Sequence, residues 1–202
     1  MEVIQVQEWL SRTNEDLQEQ KDYLTSLDRA IGDGDHGINM ARGFKEVTKS
    51  LEGKDFTEVS DVLKAAATTV MSKVGGASGP LYGTALLKMS MACKGKQVDY
   101  KTLIEMVEAG LEGIKQRGKA ETGEKTMVDV WTPVLSGMKE VDHFDGERIK
   151  HVAEEAKDNT ESMQATKGRA AYLKERSKGH LDPGAVSSYF LFKNLALVME
   201  EA

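Results

Sequence analysis

Cysteine, proline and long apolar runs are scarce in this 202-residue chain, which has one Cys and three Pro. The single cysteine, Cys93, cannot form an internal disulfide, which favours a reducing compartment and predicts a cytoplasmic protein. The first seven residues mix acidic and apolar side chains and do not have the pattern of a signal peptide. No apolar run approaches the roughly 20 residues that a transmembrane helix needs. The sequence therefore predicts neither a secreted nor a membrane-spanning protein.

Basic residues are also in deficit, since 27 Lys and Arg stand against 33 Asp and Glu and give a formal net charge of −6. A negative chain opposes the counterion release that drives binding to nucleic acids, so DNA, RNA and anionic membranes are poor candidate partners. Disorder is excluded by the content of 40% hydrophobic residues, which is typical of globular proteins. No repeat, low-complexity tract or linker divides the sequence, and we expect one domain over residues 1–202.

Strand patterns are missing as well, because no stretch alternates apolar and polar residues between turn signals. Apolar residues instead recur at helical spacing along almost the whole chain. The last segment is apolar nearly all round and is predicted to be the most buried. The sequence predicts an all-α fold, an antiparallel bundle of eight helices, with a long first helix. The segments with helical periodicity are residues 10–27, 40–47, 59–70, 82–89, 103–114, 128–138, 149–156 and 185–199.

Four segments between these helices contain more Gly, Asp and small polar residues than a helix connection requires. The first places Asp28, Asp33 and Asp35 within eight residues, spaced by glycines. Clustered carboxylates repel one another unless a cation lies among them, and oxygen-only ligands suit Mg²⁺. An EF-hand is excluded, because counting from Asp33 puts Phe44 at the twelfth position, where an acidic ligand is needed. The structural alternative is that Asp33 or Asp35 caps the next helix and that the glycines turn the chain.

The second segment, residues 74–80, is a glycine-rich stretch ahead of a helix, with Pro80 expected at the first helical position. Such a stretch presents backbone N–H groups and a helix dipole to an anion and can cradle a phosphate, although a plain turn would look similar. The third segment, residues 116–127, overlaps a near match to a Walker A motif in residues 113–120. A P-loop is rejected, because the closing Ser or Thr is absent and no strand precedes the motif.

The fourth segment runs from Lys167 to Gly184 and carries several basic side chains. Asp182 as N-cap and Pro183 as first helical residue explain the start of the last helix structurally, but this explanation leaves Arg169 without a role.

Acidic ligands, an anion cradle and an arginine are what phosphoryl transfer needs. We therefore predict a nucleotide phosphate site, with Mg²⁺ on the carboxylates, backbone N–H groups near Ser78 and charge compensation by Arg169.

The same segments give the chain a resemblance to the nucleotide-binding L subunits of bacterial dihydroxyacetone kinases. The resemblance implies a helical barrel of eight antiparallel helices with the nucleotide at one end. The matching stretches are residues 32–37, 75–84, 123–127 with Asp129 and Trp131, 167–170, and 180–184.

The resemblance also implies a set of site residues. Asp28, Asp33 and Asp35 would ligate two Mg²⁺ ions that bridge the nucleotide phosphates, and Arg169 would be the catalytic side chain. Gly118 and Met127 would flank the base, although from its spacing alone Met127 would be a core residue. For His36 the structural alternative also stays open, and Tyr82, Cys93 and Trp131 are expected in the core. The phosphate and ribose side would be lined by His36, Gly37, Ile38, Asn39, Ala77 and Ser78, and Asp182, Pro183 and Gly184 would complete the site.

In the family, dihydroxyacetone is bound covalently to a histidine of a separate K subunit, so the resemblance implies that this chain is half of a kinase. Free-standing L subunits resemble the phosphotransferase-system type. There, tightly bound ADP is rephosphorylated to ATP by a phosphohistidine on an M subunit and discharged onto dihydroxyacetone on the K subunit. Two alternatives stay open: a free-standing kinase subunit that exchanges ATP with solution, and a nucleotide-sensing adaptor that regulates a partner.

Overall fold

The computed structural model describes residues 1–201, which form nine α-helices and no strand. The all-α prediction is therefore confirmed. Two 3-10 segments, Thr160–Ser162 and Arg169–Ser177, lie between the last two α-helices. The α-helices are α1 (Val3–Glu19), α2 (Lys21–Ile31), α3 (His36–Leu51), α4 (Val59–Lys73), α5 (Ser78–Cys93), α6 (Tyr100–Gly118), α7 (Val128–Lys139), α8 (Gly146–Asn159) and α9 (Pro183–Glu200).

The expected long first helix is two helices that meet at Gln20, so the predicted count of eight is one short of the nine described. Gln20 has φ −92° and ψ 11°, and its N–H bonds to the carbonyl of Asp16 at the end of α1. Neither Gly nor Pro marks the break, so the periodic leucines continue through it. The break gives α2 its own direction, and α2 buries Leu24, Asp28 and Ile31.

Successive helices from α3 to α9 pack as neighbours, and α1 contacts both α3 and α9. α9 buries 12 of its 18 residues and α7 buries 8 of its 12, so the last segment is mostly buried, as predicted, but shares the highest buried fraction with α7. Tyr82, Cys93 and Trp131 are at most 2% exposed, as their assignment to the core requires. No helix in the described part of the chain has the length and apolar character needed to cross a membrane.

Two helix starts position residues of the predicted site. α9 begins at Pro183, and the carboxylate of its N-cap, Asp182, accepts a hydrogen bond from the N–H of Ala185 at 2.7 Å, as the sequence predicts. α5 begins at Ser78, two residues earlier than expected from Pro80. Pro80 still lies in the first turn, where a backbone N–H has no intrahelical partner. The glycine-rich stretch therefore leads directly into the N-terminus of α5.

Candidate functional site

The four predicted segments meet around one cavity of about 210 Å³. Its lining contains the acidic residues of the first segment, the glycines ahead of α5, residues 125–127 of the third segment, and both Arg169 and Asp182 of the fourth. A second cavity, of about 400 Å³, adjoins it and shares Ala77 and Met127. Segments that are far apart in the sequence are thus brought together at one place.

The three carboxylates of the first segment converge at this cavity. Asp28, Asp33 and Asp35 each offer an oxygen, and these oxygens all lie within 4.8 Å of one another. Asp28 is buried, whereas Asp33 and Asp35 are accessible to solvent. The cluster is therefore shielded from solvent at Asp28 and open to solvent at Asp33 and Asp35.

Asp28 is the residue that caps α3. Its Oδ2 accepts hydrogen bonds from the N–H of Asp35 at 2.8 Å and of His36 at 3.0 Å. Asp35 occupies the N-cap position, but within the described chain its side chain makes no capping bond. The alternative in which Asp35 caps the helix is therefore wrong, and the carboxylate of Asp35 stays available at the cavity.

Arg169 reaches the acidic cluster from the fourth segment. Its Nη2 lies 2.8 Å from Oδ2 of Asp33 in an ion pair, although the arginine side chain is 69% exposed. Gly168, with φ +65°, turns the chain just before it, a conformation that glycine adopts without steric cost. A guanidinium thus faces the carboxylates across the opening, a contact that the sequence did not predict.

His36 lines the cavity, but it is a buried residue at 8% exposure. Its Nδ1 lies 3.0 Å from Oγ of Ser78, and its Nε2 lies 2.9 Å from Oγ of Ser187. Burial lowers the pKa of His36 to about 4, and the opposing effect of the Asp28 charge is smaller. The ring is neutral at physiological pH, with one nitrogen donating and the other accepting.

The hydrogen bonds continue from His36 into the core. Ser187 contacts the hydroxyl of Tyr82 at 2.7 Å, and this hydroxyl contacts Ser188 at 2.8 Å. The indole N–H of Trp131 donates to Ser188 at 3.1 Å. Sequence reasoning placed these aromatic residues in the core and missed this chain of hydroxyl groups.

The other residues predicted in the first turn of α3 have different surroundings. Gly37 allows close packing of α3 on α2, because a Cβ there would lie 2.1 Å from the carbonyl of Lys21. Asn39 packs beneath Gly75, where a Cβ would lie 2.6 Å from its Oδ1. Ile38 is 48% exposed. Of this predicted group, His36 lines the main cavity, whereas Gly37, Ile38 and Asn39 do not.

Met127 and Gly118 lie together in the lining of the second cavity. The loop that carries Met127 is fixed by Asp129, whose carboxylate accepts hydrogen bonds from the N–H groups of Gly123 at 2.5 Å and Thr126 at 2.8 Å. Gly184 lies against Met127, since a Cβ on the glycine would be 3.7 Å from Cβ of the methionine. The lining of this second cavity is mainly apolar and also contains Leu81, Ile114 and Val128.

Asp182, Pro183 and Gly184 all line the main cavity. Desolvation raises the pKa of the Asp182 carboxyl to about 7, while the hydrogen bond from Ala185 and the charge of Lys125 lower it. Two nearby carboxylates, Asp129 and Asp28, add to the upward shift. The start of α9 therefore extends the acidic side of the site.

Sequence reasoning missed Lys125, which is only 1% exposed. Its ammonium donates hydrogen bonds to backbone carbonyl oxygens of the 160–180 segment. The loss of surrounding water lowers the pKa of this lysine, against the charges of Asp182 and Glu161. The Gly-Glu-Lys-Thr motif was visible in the sequence, but no local signal indicated these partners.

The sequence of this helical chain is that of a DAK2 domain. A family model with that description matches residues 30–197, and the chain belongs to this family. Its relatives include the "PEP-dependent dihydroxyacetone kinase 1, ADP-binding subunit DhaL" of Listeria innocua, 54% identical over 91% of this chain and 90% of the relative. The corresponding ADP-binding subunit of Escherichia coli is 42% identical over 98% of this chain and 97% of its own length.

Longer proteins also contain a similar region. Human triokinase/FMN cyclase is 30% identical over 89% of this chain, which corresponds to 32% of that protein. The crystal structure of the dihydroxyacetone kinase of C. freundii in complex with AMP-PNP and Mg²⁺ superposes with a TM-score of 0.78 at 22% identity. It covers 96% of this chain, which spans 33% of that kinase chain. The likeness to this solved structure shows the common fold.

Proposed function

We propose that this chain is the ADP-binding subunit of a phosphoenolpyruvate-dependent dihydroxyacetone kinase. Relatives from Listeria, Lactococcus and Escherichia that carry this description align with 90% or more of their own length. The observation that carries the proposal is the convergence of three carboxylates within 4.8 Å, opposite an arginine at one cavity. A nucleotide polyphosphate needs both hard-cation ligands and positive charge around it.

Asp28, Asp33 and Asp35 would hold Mg²⁺, two ions by resemblance to the family. They offer oxygen ligands alone, and the open side of the cluster leaves room for water and phosphate oxygens, as Mg²⁺ requires. The capping bonds of Asp28 fix the inner carboxylate before any ligand arrives. Mg²⁺ on these carboxylates would neutralise phosphate charge and orient the phosphate chain.

The nucleotide would lie between the start of α5 and the second cavity. Backbone N–H groups at Ala77 and Ser78 would bind phosphate oxygens at the helix N-terminus. The neutral ring of His36 orients the Ser78 hydroxyl through the 3.0 Å contact. Gly118 and Met127 would enclose the base, a use for which the adaptable methionine side chain is suited.

Other predicted residues would support or complete this site. Pro183 and Gly184 would close it beside Asp182 at the start of α9, in the lining of the main cavity. Gly37 and Asn39 would support the first turn of α3 and the glycine stretch, and Ile38 would remain at the exposed edge.

Arg169 would compensate the charge that spreads over the transferred phosphoryl group. The acceptor, dihydroxyacetone, would be held on a separate K subunit, and a phosphohistidine M subunit would rephosphorylate the bound ADP. Relatives named as subunits of such a kinase support both partners. In this scheme ADP and ATP alternate on the protein as a resident coenzyme.

Release of resident nucleotide tests the proposal. The protein is purified without added nucleotide and denatured, and the supernatant is analysed by chromatography and mass spectrometry. Stoichiometric ADP is the expected result. An empty protein that binds ATP weakly and reversibly would favour the ATP-exchanging subunit or, without transfer to a supplied K subunit, the nucleotide-sensing adaptor. A protein that binds no nucleotide even with Mg²⁺ would refute the site.

A further inference from the structure

Lys125, in the loop between α6 and α7, places its buried ammonium group among backbone carbonyl oxygens. Its Nζ lies 2.8 Å from the carbonyl oxygen of Thr160, 3.1 Å from that of Met163 and 2.7 Å from that of Ser177. A fourth carbonyl, of His180, lies at 2.5 Å. A lysine ammonium has three protons and no acceptor, so the carbonyls share its donors.

The carbonyls that surround the ammonium come from both ends of one segment. Thr160 begins the 3-10 turn after α8 and Met163 directly follows that turn, whereas Ser177 and His180 precede the start of α9. The part of the chain between these two ends carries Arg169. One side chain from another loop therefore ties together the two ends of the segment that delivers the arginine.

A second set of contacts joins the same loop to the middle of that segment. The N–H of Thr166 donates to the carbonyl of Glu124 at 3.3 Å, and the Thr166 hydroxyl donates to Glu124 Oε1 at 3.2 Å. Thr166 lies three residues before Arg169. Residues 121–127 thus hold the 160–180 segment at its ends and near its functional residue.

The backbone at Lys125 adopts an uncommon conformation. Its φ is +61°, in the left-handed region that a lysine rarely adopts. The hydrogen bonds to Asp129 fix the turn in which this conformation occurs. The turn directs the ammonium inward, where backbone oxygens replace the water that burial removes.

We propose that Lys125 is a positioning residue that fixes the 160–180 segment and thereby holds Arg169 against Asp33. The inference rests on the proposed phosphoryl-transfer role of Arg169. Lys125 acts through its charge and its three donors, and its hydrocarbon stem alone does not supply this function. Lys125→Met keeps a stem of similar length and removes the ammonium, so this substitution separates the two contributions.

Limited proteolysis measures the fixation without any assay of function. The segment contains five trypsin sites, which are Lys167, Arg169, Lys174, Arg176 and Lys178. Lys125→Met is expected to raise the initial rate of cleavage at these sites by about 10- to 100-fold, because charged hydrogen bonds that close the segment are lost. Lys119→Met is the matched control, since Lys119 also has a positive φ, of 54°, but is exposed. Its cleavage rate should stay within about twofold of wild type.

Kinetics distinguish positioning from a general loss of stability. In a reconstituted transfer assay, Lys125→Met should lower kcat by about 10- to 100-fold while the Kd for nucleotide changes by less than about threefold. In the Arg169→Ala background the same substitution should cause less than about a threefold further loss. Equal fold-losses in both backgrounds would overturn the inference, as would wild-type rates of cleavage in Lys125→Met.

Lys125→Arg is the second variant, for the case that Lys125→Met does not fold. It keeps the charge, but a planar guanidinium cannot converge on the four carbonyls as a compact ammonium does. The same pattern of cleavage and kcat loss, smaller in size, is expected, and its absence would overturn the role of Lys125. A wild-type protein that neither binds nucleotide nor supports transfer would refute the proposed function instead, and the cleavage rates would still decide whether Lys125 fixes the segment.

Discussion

Asp28 links the start of a helix to the acidic cluster. One of its oxygens caps α3 through two backbone N–H groups, at 2.8 Å and 3.0 Å. Because Asp28 makes these bonds, the carboxylate of the formal N-cap residue, Asp35, remains at the cavity. At the scale of single residues, capping of α3 by Asp28 leaves the carboxylates of both Asp33 and Asp35 free of this task, so that they are available for the proposed Mg²⁺.

Removal of an outer carboxylate should abolish Mg²⁺-dependent binding and leave a folded protein. Asp35→Ala is expected to weaken nucleotide affinity in Mg²⁺ by about 100-fold or more, because a charged oxygen ligand is lost. The metal-free variant should be slightly more stable than wild type, since repulsion among the carboxylates is relieved. Calorimetric titration and thermal melting would measure the two effects.

Asp33→Ala should show the same loss of affinity with a smaller gain in stability, because this substitution also removes the ion pair with Arg169. Asp22→Ala is the control, since Asp22 is an exposed acidic residue in the first turn of α2, outside the cavity. Unchanged nucleotide affinity in both cavity variants would contradict the metal assignment.

Arg169→Ala should reduce phosphoryl transfer far more than nucleotide binding. A guanidinium that acts on transition-state charge contributes about 1000-fold in kcat, while its exposed position limits its share of ground-state binding. The measurement is kcat in the reconstituted assay beside the Kd for ADP. Arg176→Ala, an exposed arginine in the same segment, should behave as wild type. Equal losses in kcat and affinity would make Arg169 a binding residue only.

The candidate residues could be predicted from the sequence where their signal is local. The spacing of Asp28, Asp33 and Asp35 within one loop indicated the acidic cluster, and the Asp-Pro pair at 182–183 indicated the start of α9. The partners of Lys125 lie 35 to 55 residues away, so no pattern in its neighbourhood could reveal them. The ion pair between Arg169 and Asp33 could not be predicted for the same reason, because the two residues are far apart in the sequence.

At the scale of elements, hydrophobic periodicity located the helices but not each of their ends. The break at Gln20 lies in a polar stretch without Gly or Pro, and the packing of α2 against α3 and α9 decides it. The start of α5 was misjudged from Pro80, because proline is accepted at several positions of a first turn. Only the second difference affects a functional loop, because it shortens the glycine-rich stretch ahead of α5 by two residues.

Helix capping away from the site gives a stability prediction for one element. The Asp145 carboxylate caps α8 by accepting a hydrogen bond from the N–H of Arg148 at 2.9 Å. Asp145→Ala should reduce the free energy of unfolding by about 1 kcal/mol, because this N–H loses its partner. Thermal and urea unfolding would measure the loss, and nucleotide affinity should not change. Asp145→Asn retains a capping oxygen and should lie close to wild type, so equal losses in the two variants would argue against the cap.

At the scale of the whole molecule, α1 and α9 pack together although they lie at opposite ends of the sequence. The core contains both tryptophans, Tyr82 and Cys93. The cavity lies where the loops that follow α2, α4, α6 and α8 meet. The all-α class followed from periodicity alone. The meeting of these loops followed only from the resemblance, since helix periodicity does not determine which connections share an end.

Cys93 offers a probe of global unfolding. It is 2% exposed, and burial raises the pKa of its thiol, so both access and thiolate formation are suppressed in the folded protein. Its reaction with a thiol reagent should be about 1000-fold slower than in denaturant, since modification requires opening of the core. Spectrophotometric titration would measure both rates, with one equivalent of thiol in the denatured protein. Rapid labelling of the native protein would show that this part of the core opens locally.

The chain of hydroxyl groups between His36 and Trp131 has an optical consequence. Ser78, His36, Ser187, Tyr82 and Ser188 form a continuous series of hydrogen-bond contacts, so their proton orientations influence one another, although Ser187 and Tyr82 also donate to the carbonyl of Gly184. The indole of Trp131 ends this chain, whereas the other tryptophan, Trp9, donates to the carbonyl of Leu191. We therefore expect a ligand that engages Ser78 to change the field at one of the two fluorophores, so that the emission of Trp131 should report occupancy of the cavity from inside the core.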